Sequence, residues 1–180
     1  MTTAPTLTTL PTGTWEVDPT HTEVGFVARH LMVSKVRGTF GEVTGAVEVA
    51  DPLERSTATA NVRMGSVDTG SPDRDTHLRS ADFFDVEAFP AMTFTSTAFT
   101  GDTLTGDLTI RDVTREVTFD VEFGGVATDP WGGTRAGFEA TGSVSRRDFG
   151  LEWNVALESG GVLVGDRVTI TLDVQLVRSA

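Results

Sequence analysis

A period of two in hydrophobicity recurs along most of this chain. Val62 and Met64, for example, alternate with Asn61 and Arg63. Because successive side chains of a β-strand point to opposite faces, each such run predicts a strand with one apolar and one polar face. The connections between the runs are short turns such as Asp51-Pro52. The pattern therefore predicts about eight antiparallel strands in an all-β fold.

Strands of this kind suit either a two-sheet sandwich or a sheet closed into a barrel. Their length, roughly ten residues or about 33 Å, favours the barrel. Small residues occupy several positions on the predicted inner face: Ala58, Ala60, Ser96, Ala98, Gly106, Ala136, Ala140 and Gly142. These could leave room for one ligand. Alternatively, the rings of inward aromatic residues fill that room: Phe26, Phe94, Phe119, Phe123 and Phe138.

Two segments interrupt the alternation and are predicted to be short helical insertions. The first runs from Leu31 to Lys35, at a corner after a long strand. The second runs from Ser71 to Phe84, where Ser71 is a typical N-cap and Pro72 suits the first helical position. Its aromatic end would either cap an opening in the barrel or plug the core.

Composition excludes several functional classes. The chain has 180 residues, with 26 acidic and 14 basic side chains and a net charge of −12. Such a surface repels nucleic acid, and it argues against electrostatic docking on anionic lipid head groups. The absence of cysteine excludes disulfides, thiolate metal sites and cysteine nucleophiles.

Residues 1–12 are rich in Thr and Pro, and we expect them to be flexible. Residues 13–180 then form a single domain, since no change in composition divides them. The N-terminal residues have neither the basic nor the apolar region of a signal peptide. A cytoplasmic protein is therefore expected.

Two polar arrangements are candidates for chemistry. Asp18 and His21 could act as an acid–base pair, although Asp before Pro is also typical of a turn. His30 shares the predicted inward face with Val24 and Phe26. It could ligate haem or hydrogen-bond a polar head group, or a neighbouring carbonyl or water could satisfy it. Neither an H-E-x-x-H nor a G-x-S-x-G motif occurs, so no metal or hydrolase site is predicted.

Four separated motifs resemble the YceI-like family. They are WEVDPTHTEVGFVARHLMVSKVRGTF, HLRSADFFDVEAFPAMTF, LTGDLTIRDVTREVTFDVEF and SRRDFGLEW, in that order, and they cover nearly everything from Gly13 to Val177. The resemblance implies an eight-stranded antiparallel lipocalin-like β-barrel whose cavity holds a long isoprenoid lipid, such as a prenyl quinone or a polyprenyl phosphate. It implies no enzyme activity and no cofactor apart from the lipid.

The chain is therefore expected to bind, and to carry or store, a long-chain isoprenoid lipid. A transient membrane contact during lipid exchange and a homodimer are compatible with that role. The alternative is a small-substrate enzyme that uses Asp18 and His21. The residues predicted to line the cavity are Phe26, His30, Ala60, Met64, Phe84, Phe94, Ala98, Leu108, Phe119, Phe138 and Trp153.

Overall fold

The computed structural model describes residues 5–155, 157 and 163–180. Within them, eleven strands and one α-helix are joined by turns and short 3₁₀ helices. The strands are β1 (Gly13–Val17), β2 (Glu23–His30), β3 (Ser34–Phe40), β4 (Val43–Val49), β5 (Thr57–Arg63), β6 (Val67–Asp68), β7 (Ala91–Phe99), β8 (Thr103–Ile110), β9 (Val113–Thr128), β10 (Thr134–Ser145) and β11 (Val164–Arg178). The helix α1 is Pro72–Arg79, and the 3₁₀ helices are Leu7–Thr9, Pro19–His21, Leu53–Arg55, Met64–Ser66 and Arg146–Phe149.

Strand β11 closes the sheet. It pairs with β10 along one edge and with both β2 and β1 along the other. β1 and β2 are two halves of one barrel strand interrupted at Pro19, and β3 and β4 are two halves of the next. The circuit continues through β5, β7, β8, β9 and β10, with every pair antiparallel. The predicted eight-stranded antiparallel barrel is confirmed.

The two ends of the barrel are built differently. We call the end that carries α1, the β2–β3 turn and Arg146–Phe149 the helix end, and the end where β1 begins and β11 finishes the terminal end. Phe40, Met64 and Phe149 pack together at the helix end. At the terminal end, a second cluster surrounds Trp15, whose Nε1 donates a hydrogen bond to the Pro11 carbonyl oxygen.

Phenylalanine rings lie over glycines of neighbouring strands. The Phe94 ring covers Gly106, and a Cβ placed there would also lie 2.5 Å from the Thr95 carbonyl oxygen. A Cβ at Gly142 would lie 2.7 Å from Cδ1 of Phe119. These glycines are needed because only a residue without a Cβ allows the ring to approach this closely. The rings thus fill part, but not all, of the space that small inner residues leave.

One of the two predicted helical insertions is a helix. The Ser71 side chain accepts a hydrogen bond from the Arg74 N–H at 3.5 Å, so the predicted N-cap is confirmed. The helix ends at Arg79, however, and the aromatic segment up to Phe84 continues as turns. None of the helices within the described residues is long and apolar enough to cross a bilayer.

The predicted helix from Leu31 to Lys35 is wrong. The segment is a tight hairpin turn in which the Val33 N–H donates to the His30 carbonyl oxygen at 3.2 Å, and β3 already begins at Ser34. Leu31 and Met32 adopt left-handed backbone conformations, with φ of 55° and 63°. Such values are uncommon for large L-residues, which is why the sequence did not indicate this turn.

Gly106 offers a test of the close ring contacts. Replacing Gly106 by Ala should lower the free energy of unfolding by about 1–3 kcal/mol, because the new methyl group would displace the Phe94 ring. Gly137→Ala is the matched control, since a Cβ there meets no heavy atom within 4 Å. Chemical denaturation should show the control to be neutral or slightly stabilised. Equal losses in the two variants would contradict this packing.

Candidate functional site

A cavity of about 200 Å³ lies inside the barrel between the helix-end and terminal-end clusters. Inward-facing residues from the strands line it, together with residues of the N-terminal segment and of the β4–β5 connection. The apolar lining side chains are Leu7, Leu10, Val17, Val24, Val43, Val47, Val49, Leu53, Ala58, Ala60, Val62, Met92, Phe94, Phe99, Leu104, Leu108, Phe119, Val121, Phe138, Ala140, Ile170, Leu172, Val174 and Leu176. Among the described lining residues, none has a charged side chain.

The alternation of inward and outward side chains along each strand determines which residues line the cavity. On β5, Ala58 and Ala60 face inward while Thr57 and Thr59 have exposed side chains. Because the alanine side chains are small, they leave space that a Leu or Phe at these positions would fill. The cavity thus follows from where the chain uses small inward residues.

Thr22 and Ser56, two of the polar residues beside the cavity, already have hydrogen-bond partners. Thr22 Oγ1 accepts from the Gln175 N–H at 3.1 Å, and Ser56 Oγ accepts from the Ala50 N–H at 2.9 Å. A charged group brought into such surroundings would lose its hydration without compensation, at a cost of several kcal/mol. The cavity is therefore suited to an apolar chain.

The predicted lining residues divide into two sets. Ala60, Phe94, Leu108, Phe119 and Phe138 do line the cavity. Phe26, His30, Met64, Phe84, Ala98 and Trp153 lie outside its lining.

Each residue of the second set has a local reason for its position. Phe26 covers Gly38, Met64 is buried in the helix-end cluster, and Phe84 packs 5.9 Å from Phe40 between ring centroids. Ala98 is exposed because a register shift between Ser96 and Ala98 changes the face to which it points.

His30 and Trp153 both lie at the helix end. His30 is the last residue of β2 and pairs with Ser34 and Val164. Its expected contact with a head group inside the cavity therefore has no geometric support. Trp153 packs edge-on against His77, with 4.5 Å between ring centroids.

Among the apolar lining residues that sequence reasoning missed, three lie outside the strands at the terminal end. Leu7 and Leu10 belong to the segment that was expected to be flexible, and Leu53 begins the 3₁₀ helix after the Asp51-Pro52 turn. Leu10 is nonetheless buried in the Trp15 cluster. The available signal was two leucines three residues apart in an otherwise polar stretch, which is compatible with one apolar face on a helical turn.

Asp18 and His21 form a structural network on the barrel wall. Asp18 Oδ2 accepts hydrogen bonds from His21 Nδ1 at 2.8 Å and from Arg135 Nη1 at 2.6 Å, while Oδ1 accepts from the Thr20 N–H at 3.0 Å. These donors, those of Thr20 foremost, hold the pKa of the Asp18 carboxyl well below its usual range. Arg135 also donates to Asp129 Oδ2 at 2.9 Å. The network thus ties the β1–β2 break to the β9–β10 turn.

This geometry does not favour an acid–base role for the pair. A carboxylate with so low a pKa is a weak base near neutral pH. The His21 side chain is 61% exposed, and neither residue lines the cavity. Within the described residues, no cluster of three or more His, Asp or Glu side chains could hold a metal ion.

Arg146, in the SRRDFG motif, anchors the loop at the helix end. Its buried guanidinium donates to the carbonyl oxygens of Leu151 at 2.6 Å, Trp153 at 2.9 Å and Gly165 at 3.0 Å. Burial lowers the pKa of this guanidinium. Carbonyl acceptors compensate the burial, so the side chain has a structural role.

Residues 15–176 match the family model of the YceI-like domain. A UPF0312 protein of Staphylococcus epidermidis is 42% identical over 153 residues, which cover 84% of this chain and 90% of the relative. A UPF0312 protein of Staphylococcus aureus strain N315 is 43% identical over 154 residues, with the same coverage.

Solved structures share the fold. The YCEI protein of Campylobacter jejuni is 26% identical, with a TM-score of 0.67, covering 84% of this chain and 90% of that one. BcnA of Burkholderia cenocepacia is 23% identical, with a TM-score of 0.72 and coverages of 88% and 98%. A polyisoprenoid binding domain from Saccharophagus degradans is 14% identical, with a TM-score of 0.71 and coverages of 92% and 98%.

The Asp18 network predicts acid sensitivity. Because the folded pKa of Asp18 is depressed, its stabilising effect is complete above its ordinary pKa and is lost as the pH falls toward the folded value. Asp18→Asn should lower Tm at neutral pH by roughly 3–12 °C, since a hydrogen bond to a charged group contributes about 1.5–3 kcal/mol. Its Tm should also change less than that of the wild type between about pH 5 and pH 2.

His21→Ala is the control for this experiment. His21→Ala removes one donor to Asp18 but leaves those of Thr20 and Arg135, so this variant should lose less Tm than Asp18→Asn and keep most of the pH dependence of the wild type. A loss in His21→Ala as large as that in Asp18→Asn would show that His21, rather than Thr20 and Arg135, carries the effect.

Proposed function

The chain belongs to the YceI-like family, and we propose that it binds an isoprenoid lipid with the apolar tail inside the barrel cavity. The observation that carries this proposal is the interior space of about 200 Å³, whose described lining residues include no charged side chain. The binding function of the Saccharophagus degradans domain, which shares the fold, supports the choice of an isoprenoid tail.

Burial of the tail supplies enough free energy for binding. Each methylene removed from water contributes about 0.8 kcal/mol, so roughly ten would contribute about 8 kcal/mol before ordering costs. Before those costs are subtracted, this free energy sets a lower limit of about 1 μM on the dissociation constant of a tail of this length. No ion pair inside the cavity is required.

The head group stays outside the cavity in this proposal. Thr22 and Ser56 already use their hydroxyl groups within the protein, so neither is left to replace the hydration of a phosphate. Leu7, Leu53 and Phe99 line the cavity at the terminal end and are only partly buried. We place the head group beside them, and a prenyl quinone or a polyprenyl phosphate would both fit this arrangement.

Because the lipid tail would be held without a covalent bond, binding would be reversible, and the protein would carry or store the lipid. The alternative of a small-substrate enzyme finds no comparable support. Its proposed acid–base pair lies outside the cavity, and Arg135 already binds the Asp18 carboxylate. Binding without chemical conversion is the function that this geometry favours.

A matched pair of alanine substitutions tests the proposal. Ala60 faces the cavity, whereas Ala98 on the neighbouring strand β7 is exposed. Ala60→Phe should weaken binding of a prenyl quinone at least tenfold by occupying the space of the tail, with little change in Tm. Ala98→Phe should bind as the wild type does. Fluorescence-monitored titration of the quinone and of its bare isoprenoid hydrocarbon gives both affinities.

The two ligands should respond alike, because the head group contributes little from outside the cavity. Equal affinities of Ala60→Phe and the wild type, or a loss confined to Ala98→Phe, would contradict a tail in the cavity. A loss for the quinone without a loss for the hydrocarbon would instead place the head group inside.

A further inference from the structure

The tip of the β2–β3 hairpin exposes three consecutive apolar side chains. Leu31, Met32 and Val33 are 39%, 58% and 78% exposed. Single exposed apolar residues are common on protein surfaces, but a contiguous group of large ones marks a site of interaction.

The turn itself does not explain these residues. His30 pairs with Ser34, so Leu31, Met32 and Val33 form a three-residue loop. The hydrogen bond from the Val33 N–H to the His30 carbonyl oxygen makes Leu31 and Met32 the central residues of a β-turn within it. Both have positive φ, a backbone conformation that Gly, Asn and Asp adopt more readily than large apolar residues do. Large apolar residues here serve neither backbone conformation nor burial, and strained positions of this kind are often functional.

The flanks of the tip are basic. Arg29 and Lys35 are exposed and lie opposite each other on paired strands, and Arg37 is exposed two residues further along β3. No acidic residue occurs between Val24 and Gly41, in a chain with 26 acidic side chains. The sequence of the hairpin is therefore positively charged, although the net charge of the whole chain is −12.

The acidic group on the adjacent strand does not cancel this charge. Asp166 of β11 is bound to Arg147 at 2.9 Å and lies 3.6 Å from Arg146. Of the ion pairs formed within the described residues, none includes Arg29, Lys35 or Arg37. Within the part of the chain that the structure describes, these three cations thus have no ion-pair partner.

We propose that the β2–β3 hairpin docks the protein on an anionic lipid bilayer. The tip Leu31–Val33 enters the boundary between head groups and acyl chains, and Arg29, Lys35 and Arg37 contact lipid phosphates. An apolar group flanked by cations is the combination that binds such surfaces. Docking through this hairpin turns the terminal end, beside which the head group is placed, away from the bilayer, so the docking role goes beyond the proposed function and does not depend on how the lipid enters.

Vesicle flotation tests the docking directly. The protein should float with vesicles of phosphatidylcholine and phosphatidylglycerol, should not float with phosphatidylcholine alone, and should be released by high salt. Alanine at Arg29, Lys35 and Arg37 together should weaken binding by about fivefold for each charge removed, or on the order of 100-fold. Arg55→Ala, which removes one exposed cation at the terminal end, is the control for the loss of each single charge and should bind normally.

A fluorescent probe locates the contact. Because the chain has no cysteine, Val33→Cys can be labelled at one position with a dye sensitive to polarity. Its emission should shift to the blue when anionic vesicles are added. A label on Glu54→Cys, at the terminal end, should not respond.

Several results would overturn the docking proposal: no flotation with anionic vesicles, equal binding to neutral ones, or an equal loss in Arg55→Ala. A blue shift of the Val33 label that depends on protein concentration without vesicles would assign the tip to a second copy instead.

Ala60→Phe separates the two proposals, since it should dock normally without holding lipid. If docking fails while Ala60→Phe still reduces isoprenoid binding, only the docking proposal falls. If Ala60→Phe docks but binds isoprenoid as the wild type does, the proposed function falls.

Discussion

The pairing of β11 along both edges is the constraint on which the rest of the structure depends. This one strand joins β10 on one side and both β2 and β1 on the other, which turns an open sheet into a barrel. Closure leaves every inward side chain enclosed and removes unpaired edges from the circuit. Without it, the small inward residues of β5 would face water and would enclose nothing. The cavity is thus a property of the closed sheet.

Polar and apolar chemistry are separated by the barrel wall. The interior between the two packed clusters is lined by apolar side chains, and the hydrogen-bonded networks around Asp18 and Arg146 lie outside it. These networks hold the turn and loop regions that shape the two ends of the barrel. A protein arranged in this way can shelter an apolar chain from water, while its recognition of surfaces and charged groups depends on the loops.

The regular parts of the fold could be predicted from the sequence because alternation is a local signal. Ala60 was expected to face inward and does, since β5 has no irregularity. Ala98 was placed on the wrong face because a bulge changes the register without changing the composition. Met64 follows the end of a strand and packs in the core, and Leu31 adopts a conformation that its residue type rarely adopts. Leu7 lines the cavity although the polar stretch around it is typical of a flexible segment, and only its spacing from Leu10 indicated an apolar face.

The central claim is that the cavity holds the tail of an isoprenoid lipid. Native mass spectrometry of the protein as purified from its host tests it most directly, with solvent extraction to identify any bound molecule. The account predicts an added mass built from repeating isoprene units in the wild-type protein, and its loss in Ala60→Phe. A straight-chain lipid in its place, or the same isoprenoid retained in full by Ala60→Phe, would contradict it.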